Sequence, residues 1–213
     1  MEIRLQNIIP KPFAGSIAEH RVWGQDFTFH PKNNYLLTAA SGKGKSTLLH
    51  ILHGSRTDYT GTLWLNQKDS ASFRPNDWAA FRSEQIAVVF QDLRLFPQLT
   101  ARENLRIPHL IHNNPEFENQ VVKYAEALGM TAHLDKKSGI LSLGQQQRIA
   151  LIRALLQRFT WLLMDEPYSH LDTANQQAAS ELIHQVLAEK SASMIVSSLG
   201  IETPLSFTER IEL

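Results

Sequence analysis

Short apolar runs alternating with amphipathic stretches predict an α/β fold, a mostly parallel sheet covered on both faces by helices. Three observations carry this reading. First, Ile86 to Phe90, Leu162 to Met164 and Ser193 to Ser198 are compact apolar runs without strict alternation, as in strands buried on both faces. Second, Thr173 to Glu189 places Leu182, Ile183, Val186 and Leu187 on one helical stripe between two such runs. Third, Arg94 to Phe159 has helical patterning and no convincing strand, which predicts a helical insertion in the middle of the chain.

Taken in order, Val22 to His30 and Tyr35 to Ala40 read as strands around the turn Pro31-Lys32-Asn33-Asn34. A Gly- and Ser-rich turn spans Ser41 to Ser46, and a helix follows from Thr47 to His53, closed by Gly54. Gly61 to Asn66 alternates, as expected of an edge strand or hairpin, and Arg210 to Leu213 reads as a further edge.

Composition narrows the function. The 213 residues are 43% hydrophobic and 20% charged, which fits a globular chain and argues against disorder. The 21 basic and 21 acidic residues cancel, so no global basic field exists to hold nucleic acid. The absence of cysteine removes disulfides, thiolate metal sites and cysteine nucleophiles. No apolar run reaches the roughly 18 residues of a membrane span, and the start Met1-Glu2-Ile3-Arg4 lacks signal-peptide character. A soluble, intracellular-type protein is expected, with any membrane role arising through a partner.

The strongest chemical signal is Ser41-Gly42-Lys43-Gly44-Lys45-Ser46-Thr47 between a buried strand and a helix. Glycines there let backbone N–H groups converge on phosphate oxygens, and the helix N-terminus adds positive potential. Lys45 is placed to reach β- and γ-phosphates, and the Ser46 hydroxyl to ligate Mg²⁺. Ala39 stands where the strict pattern has glycine. Leu162-Leu163-Met164-Asp165-Glu166 delivers two carboxylates at a strand tip, Asp165 for the Mg²⁺ shell and Glu166 to polarise an attacking water. Both sites also have plain structural readings, a Gly-rich turn capping a helix and a solvated acidic turn. Leu141-Ser142-Leu143-Gly144-Gln145-Gln146-Gln147-Arg148 opens a helix whose apolar face is Ile149, Ile152, Leu155, Leu156 and Phe159. Ser142 with Gln145 forms a capping box, which leaves Gly144 and the following Gln-Gln-Arg unexplained.

These motifs, with Phe90-Gln91 and Ser169-His170-Leu171-Asp172, resemble in order and spacing the ATP-binding cassette (ABC) ATPases, over essentially the whole chain. The resemblance implies a P-loop NTPase (RecA-like) core at residues 1–92 and 158–213, with an N-terminal antiparallel β subdomain. It also implies a helical insertion at 93–157 that carries the signature motif. It further implies ATP and Mg²⁺ as ligands, with Ser41, Gly42, Lys43, Gly44, Lys45, Ser46 and Thr47 on the phosphates. Phe13 would stack on adenine, and Ser46, Gln91 and Asp165 would hold Mg²⁺. Glu166, Gln91 and Ser198 would carry hydrolysis. Ser142, Gly144, Gln145 and Asp172 would act in trans, within a head-to-tail homodimer that closes on two ATP molecules. Ser198 stands at the family's histidine position, which implies slow hydrolysis, and Leu143 stands at its first signature glycine, where its bulk should change how tightly the dimer closes.

Trp23 reads as packing, and His170 and the pair His109 and His112 show no metal-ligand logic. The stretch from Phe90 to Pro108 resembles the small cassettes of lipoprotein-release and macrolide-export systems. That likeness implies an integral-membrane permease subunit docking around Gln91 to Arg106, where Leu95, Phe96 and Leu99 cluster. It also implies a place on the cytoplasmic face of the membrane. The alternative is a non-transport or regulatory ATP-sensing module with very low hydrolysis.

Overall fold

The computed structural model describes residues 1–13, 21–40, 42–110, 114–198 and 203–213. In chain order, β1 (Ile3–Pro10), β2 (Asp26–Phe29) and β3 (Tyr35–Thr38) precede α1 (Lys45–Leu52). Then come β4 (Tyr59–Leu65), β5 (Lys68–Asp69), α2 (Pro75–Glu84) and β6 (Ile86–Val89). The chain continues through α3 (Ala101–Arg106), α4 (Phe117–Ala127) and α5 (Leu143–Leu155) to β7 (Trp161–Asp165). It ends with α6 (Thr173–Lys190), β8 (Ser193–Ser198) and β9 (Glu209–Glu212).

Two sheets result. One is antiparallel, in the order β2-β1-β4-β5. The other runs β6-β7-β8-β3-β9, and every adjacent pair in it is parallel. Its central strands are sealed on both faces: all five residues of β7 and all six of β8 are buried. Between β6 and β7 the described residues form helices and turns only, apart from a single bridge between Thr100 and Lys137. One apolar cluster lies between the two sheets around α1, with Leu5, Trp23, Tyr35, Leu52 and Trp161 at its centre. The other joins the opposite face of the parallel sheet to α3, α4, α5 and α6.

The two strands expected around the Pro31–Asn34 turn do not pair with each other. Asp26–Phe29 joins the antiparallel sheet, whereas Tyr35–Thr38 is central in the parallel one. Val22 and Trp23 are buried outside any strand, so the ladder begins only at Asp26. The helix expected from Thr47 starts at Lys45, and Gly54 follows its C-terminus with φ +71°. Three elements have no counterpart in the sequence reading: β1, the two-residue β5 and α2.

Candidate functional site

The carboxyl ends of β3, β6, β7 and β8 open toward one side of the parallel sheet, where ligands of such folds bind. β3 leads into the glycine-rich turn and α1. Gly44 is the N-cap of α1 with φ +102°, a conformation that suits glycine. A Cβ there would come within 2.9 Å of Phe13 and 3.1 Å of Trp23, so the two rings roof the turn. Phe13 thus sits directly on the predicted phosphate loop, half-buried, with its ring centroid 6.1 Å from that of Trp23. Trp23 is buried, as its packing assignment requires. Ser41 and His112 lie outside the described residues.

Lys45 is 6% exposed, and its ammonium donates to the carbonyls of Ala39 at 2.8 Å and Ala40 at 3.4 Å. Ala39 has no positive φ, so the missing glycine costs the turn nothing. The Thr47 hydroxyl accepts from Arg56 at 3.3 Å, which also grips Asp58.

A cleft of about 320 Å³ is lined by Gly42, Gly44, Lys45, Ser46, Thr47, Gln91 and Glu166. Beside it, sharing Ser46 and Gln91, lies a second hollow of about 290 Å³ that adds His50, Phe90, Asp92, Arg94 and Asp165. Residues some 120 positions apart in the chain therefore meet on one surface, and Gln91 Nε2 donates to Glu166 Oε2 at 3.4 Å. Among the described residues no three His, Cys, Asp or Glu side chains cluster as a metal site. Ser46, Gln91 and Asp165 instead offer one carboxylate and neutral oxygens along one wall. Such a set fits Mg²⁺, which keeps waters and shares phosphate oxygens, and fits zinc poorly.

Ser198 is placed differently. It is buried at the end of β8 and lines a small cavity with Glu166, Pro167 and Ser169, not the loop cleft. Its neighbour Ser197 holds the carboxylates' strand end: its hydroxyl donates to Asp165 and accepts from the Glu166 amide at 3.2 Å. The sequence reading gave Ser197 no role, because which of two adjacent serines faces Asp165 is set by strand register.

His50 stacks on Phe90 with centroids 5.5 Å apart, and the Arg94 guanidinium lies 3.6 Å from the same ring's centre. Burial, then Arg94, lowers the His50 pKa. His109 stacks on Phe117, and His170 is exposed.

None of Ser142, Gly144, Gln145 and Asp172 lines either hollow. Ser142 caps α5, accepting from Gln145 N at 3.3 Å while Gln145 Oε1 accepts from Ser142 N at 3.0 Å. Asp172 caps α6 through Asn175 N at 2.8 Å, and that bond holds its carboxyl below the usual range. A Cβ on Gly144 would meet the His170 carbonyl oxygen at 2.7 Å, so close approach within the chain requires this glycine. Leu143, by contrast, is 57% exposed in the first turn of α5. Phe96 is 53% exposed, whereas Leu95 packs against the core and Leu99 is half-buried.

The family model described as ABC transporter matches residues 23–169. The chain belongs to the ABC transporter family. Among relatives in that family, the lipoprotein-releasing system ATP-binding protein LolD of Saccharophagus degradans is 37% identical over 164 residues, covering 75% of this chain and 71% of the relative. The ABC transporter ATP-binding protein YtrE of Bacillus subtilis is 32% identical over 162 residues, covering 75% and 70%. The macrolide export ATP-binding/permease protein MacB of Rhodopirellula baltica is 35% identical over 164 residues, 75% of this chain but 24% of that longer protein. The dimeric structure of a bacterial ABC transporter cassette superposes with a TM-score of 0.81 at 23% identity, covering 92% of this chain and 87% of the other. That superposition shows this chain to share the fold of an ABC cassette.

Proposed function

We propose that this chain binds Mg-ATP in the cleft between its phosphate loop and the tips of β6 and β7, hydrolyses it, and drives a separate membrane subunit of a transporter. The observation that carries the reading is the cleft itself, which Gly42, Gly44, Lys45, Ser46 and Thr47 line together with Gln91 and Glu166. Lys45 would exchange its bonds to the Ala39 and Ala40 carbonyls for β- and γ-phosphate oxygens, and the α1 N-terminus would support the anion. Ser46, Gln91 and Asp165 would hold Mg²⁺, which when bound neutralises charge on the phosphates. Glu166 would accept the proton of an attacking water that Gln91 helps to orient.

Ser142, Gly144 and Gln145 stand at a helix N-terminus and do not line this cleft, as an in-trans role in a head-to-tail dimer requires. In this reading residues 1–92 and 158–213 are the nucleotide core and 93–157 the lever. The names of LolD, YtrE and MacB, all ATP-binding proteins of release, transport or export systems, support a transporter role. The exposed ring of Phe96 then belongs to the surface that meets the membrane subunit on its cytoplasmic side. No helix of the described residues is long and apolar enough to cross a membrane, which supports a separate subunit for that task.

Titration with Mg-ATP and a phosphate-release assay test the reading. Lys45→Ala should weaken binding at least tenfold, since a charge-assisted contact is worth about 1.5–3 kcal/mol. Glu166→Gln should bind normally and lose hydrolysis. Wild-type affinity in the first variant, or wild-type turnover in the second, refutes the assignment. A sensing module with slow hydrolysis is the second reading, favoured by Ser198 lining a cavity apart from the loop cleft. A large gain in turnover for Ser198→His would support it.

A further inference from the structure

Helix α5 does more than present the signature at its N-terminus. Two of its side chains grip, by backbone carbonyls, the two turns that carry Gln91 and Glu166. Arg153 donates to Leu93 O at 2.7 Å and to Arg94 O at 2.6 Å. Gln147, 2% exposed, donates to Glu166 O at 3.3 Å and Pro167 O at 2.5 Å. Ser169 donates back to the Gln147 side-chain oxygen at 3.4 Å.

The gripped turns are unusual. Leu93 and Arg94 have φ of +56° and +47°, and Glu166 has φ of +49°. Left-handed conformations at non-glycine residues persist only where the surroundings over-determine them, and they concentrate at functional sites. At the first turn, the over-determining contacts are Arg153 below the carbonyls and the Arg94 guanidinium against Phe90. At the second they are Gln147 on the carbonyl side and Ser197 on the Glu166 amide. The turns meet at the 3.4 Å contact between Gln91 Nε2 and Glu166 Oε2.

We propose that Gln147 and Arg153 are positioning residues for hydrolysis: together they make α5 a two-point clamp that sets the Gln91–Glu166 pair. A shift of the signature end of α5 then moves both residues at once, because one rigid helix holds both turns. This proposal rests on the reading of the cleft as the hydrolytic site. It assigns functions to residues outside that cleft.

The test uses the full chain with Mg-ATP, measuring binding by titration and kcat and KM by phosphate release. Arg153→Lys keeps the charge and removes the two-pronged donor. Gln147→Met keeps the volume and removes the amide. Each should lower kcat about tenfold or more while changing Mg-ATP affinity less than about threefold, with one ATP still bound per chain. Arg153→Lys added to Gln91→Ala should cost less than about twofold further, because a residue acting through Gln91 loses its effect when Gln91 is gone. Gln147→Met carries the first criterion alone should Arg153→Lys not fold. Unchanged kcat in the folded variants, or an Arg153→Lys loss that adds in full to that of Gln91→Ala, overturns the clamp while leaving the cleft assignment intact. Wild-type turnover in Glu166→Gln instead removes the cleft assignment, and the clamp falls with it.

Discussion

At the scale of single residues, the fold opposes protonation of His53 more strongly than of its neighbour His50. Burial, then the charges of Arg82 and Arg94, lower its pKa from 6.5 to about 4, and its Nδ1 has no hydrogen-bond partner. Between those two values the unfolded chain takes up a proton that the folded chain refuses. Stability from neutral His53 is therefore complete above about pH 6.5 and is lost as pH falls toward 4. At 1.36 kcal/mol per unit the loss amounts to about 3 kcal/mol. Urea melts at pH 4.5 and 7 should differ by an amount of that order in wild type. The gap should shrink in His53→Phe, which keeps an aromatic ring edge-on to Phe90; an unchanged gap would show that other groups set the acid sensitivity. His50, whose pKa is lowered in the same direction, should leave a residual slope. Residues such as Lys45, Ser46, Asp165 and Glu166 are legible in the sequence because each belongs to a short contiguous motif next to a strand end. Ser197, Gln147 and Arg153 are not, since their partners lie 19 to 60 positions away and are fixed only by packing.

At the scale of elements, the start of α5 shows which of two adjacent positions the fold of the single chain constrains. Leu143 points outward, whereas Gly144 lies under the His170 carbonyl. Gly144→Ala forces a backbone to move and should cost about 1–3 kcal/mol in a thermal or urea melt. Leu143→Gly should change stability by less than about 1 kcal/mol, the ordinary helix penalty for glycine. Equal losses in both variants would contradict this division. Ser142 keeps the capping box in either case. Elsewhere local pattern falls short for definite reasons. β1 changes phase part-way: Ile3, Leu5 and Ile8 are buried, and the pairing with β4 slips between Gln6 and Ile9, where Asn7 has φ +51°. α2 buries only Phe81, so no apolar stripe announces it, although Pro75 and Asp77 mark its start. Val22 and Trp23 are apolar because they are buried, not because they pair.

At the scale of the whole molecule, the signature end of α5 and the loop cleft are separate surfaces of one chain, so an in-trans site needs two copies. Glu166→Gln at saturating Mg-ATP should accumulate a dimer, with the scattering mass rising from 24.2 kDa to twice that value. A mass that stays monomeric would count against the sandwich. The α/β class was legible because β7 and β8 are wholly buried and β6 nearly so, and they therefore read as plain apolar runs. Which strands are neighbours was not, because no local pattern tells Tyr35 that its partners are Ile195 on one side and Glu209 on the other. That placement has a consequence for biosynthesis. β3, which feeds the phosphate loop, acquires both of its ladders from segments made at least 155 residues later, and the amide of Leu213 bonds back to Thr38. Contacts of such long sequence separation close slowly. A chain emerging from the ribosome can form the pairings of β1 with β2 and β4 early, yet its nucleotide loop stays unsupported until β8 and β9 have been synthesised. Closure of the loop, and with it nucleotide capture, is therefore expected late in the life of the nascent chain.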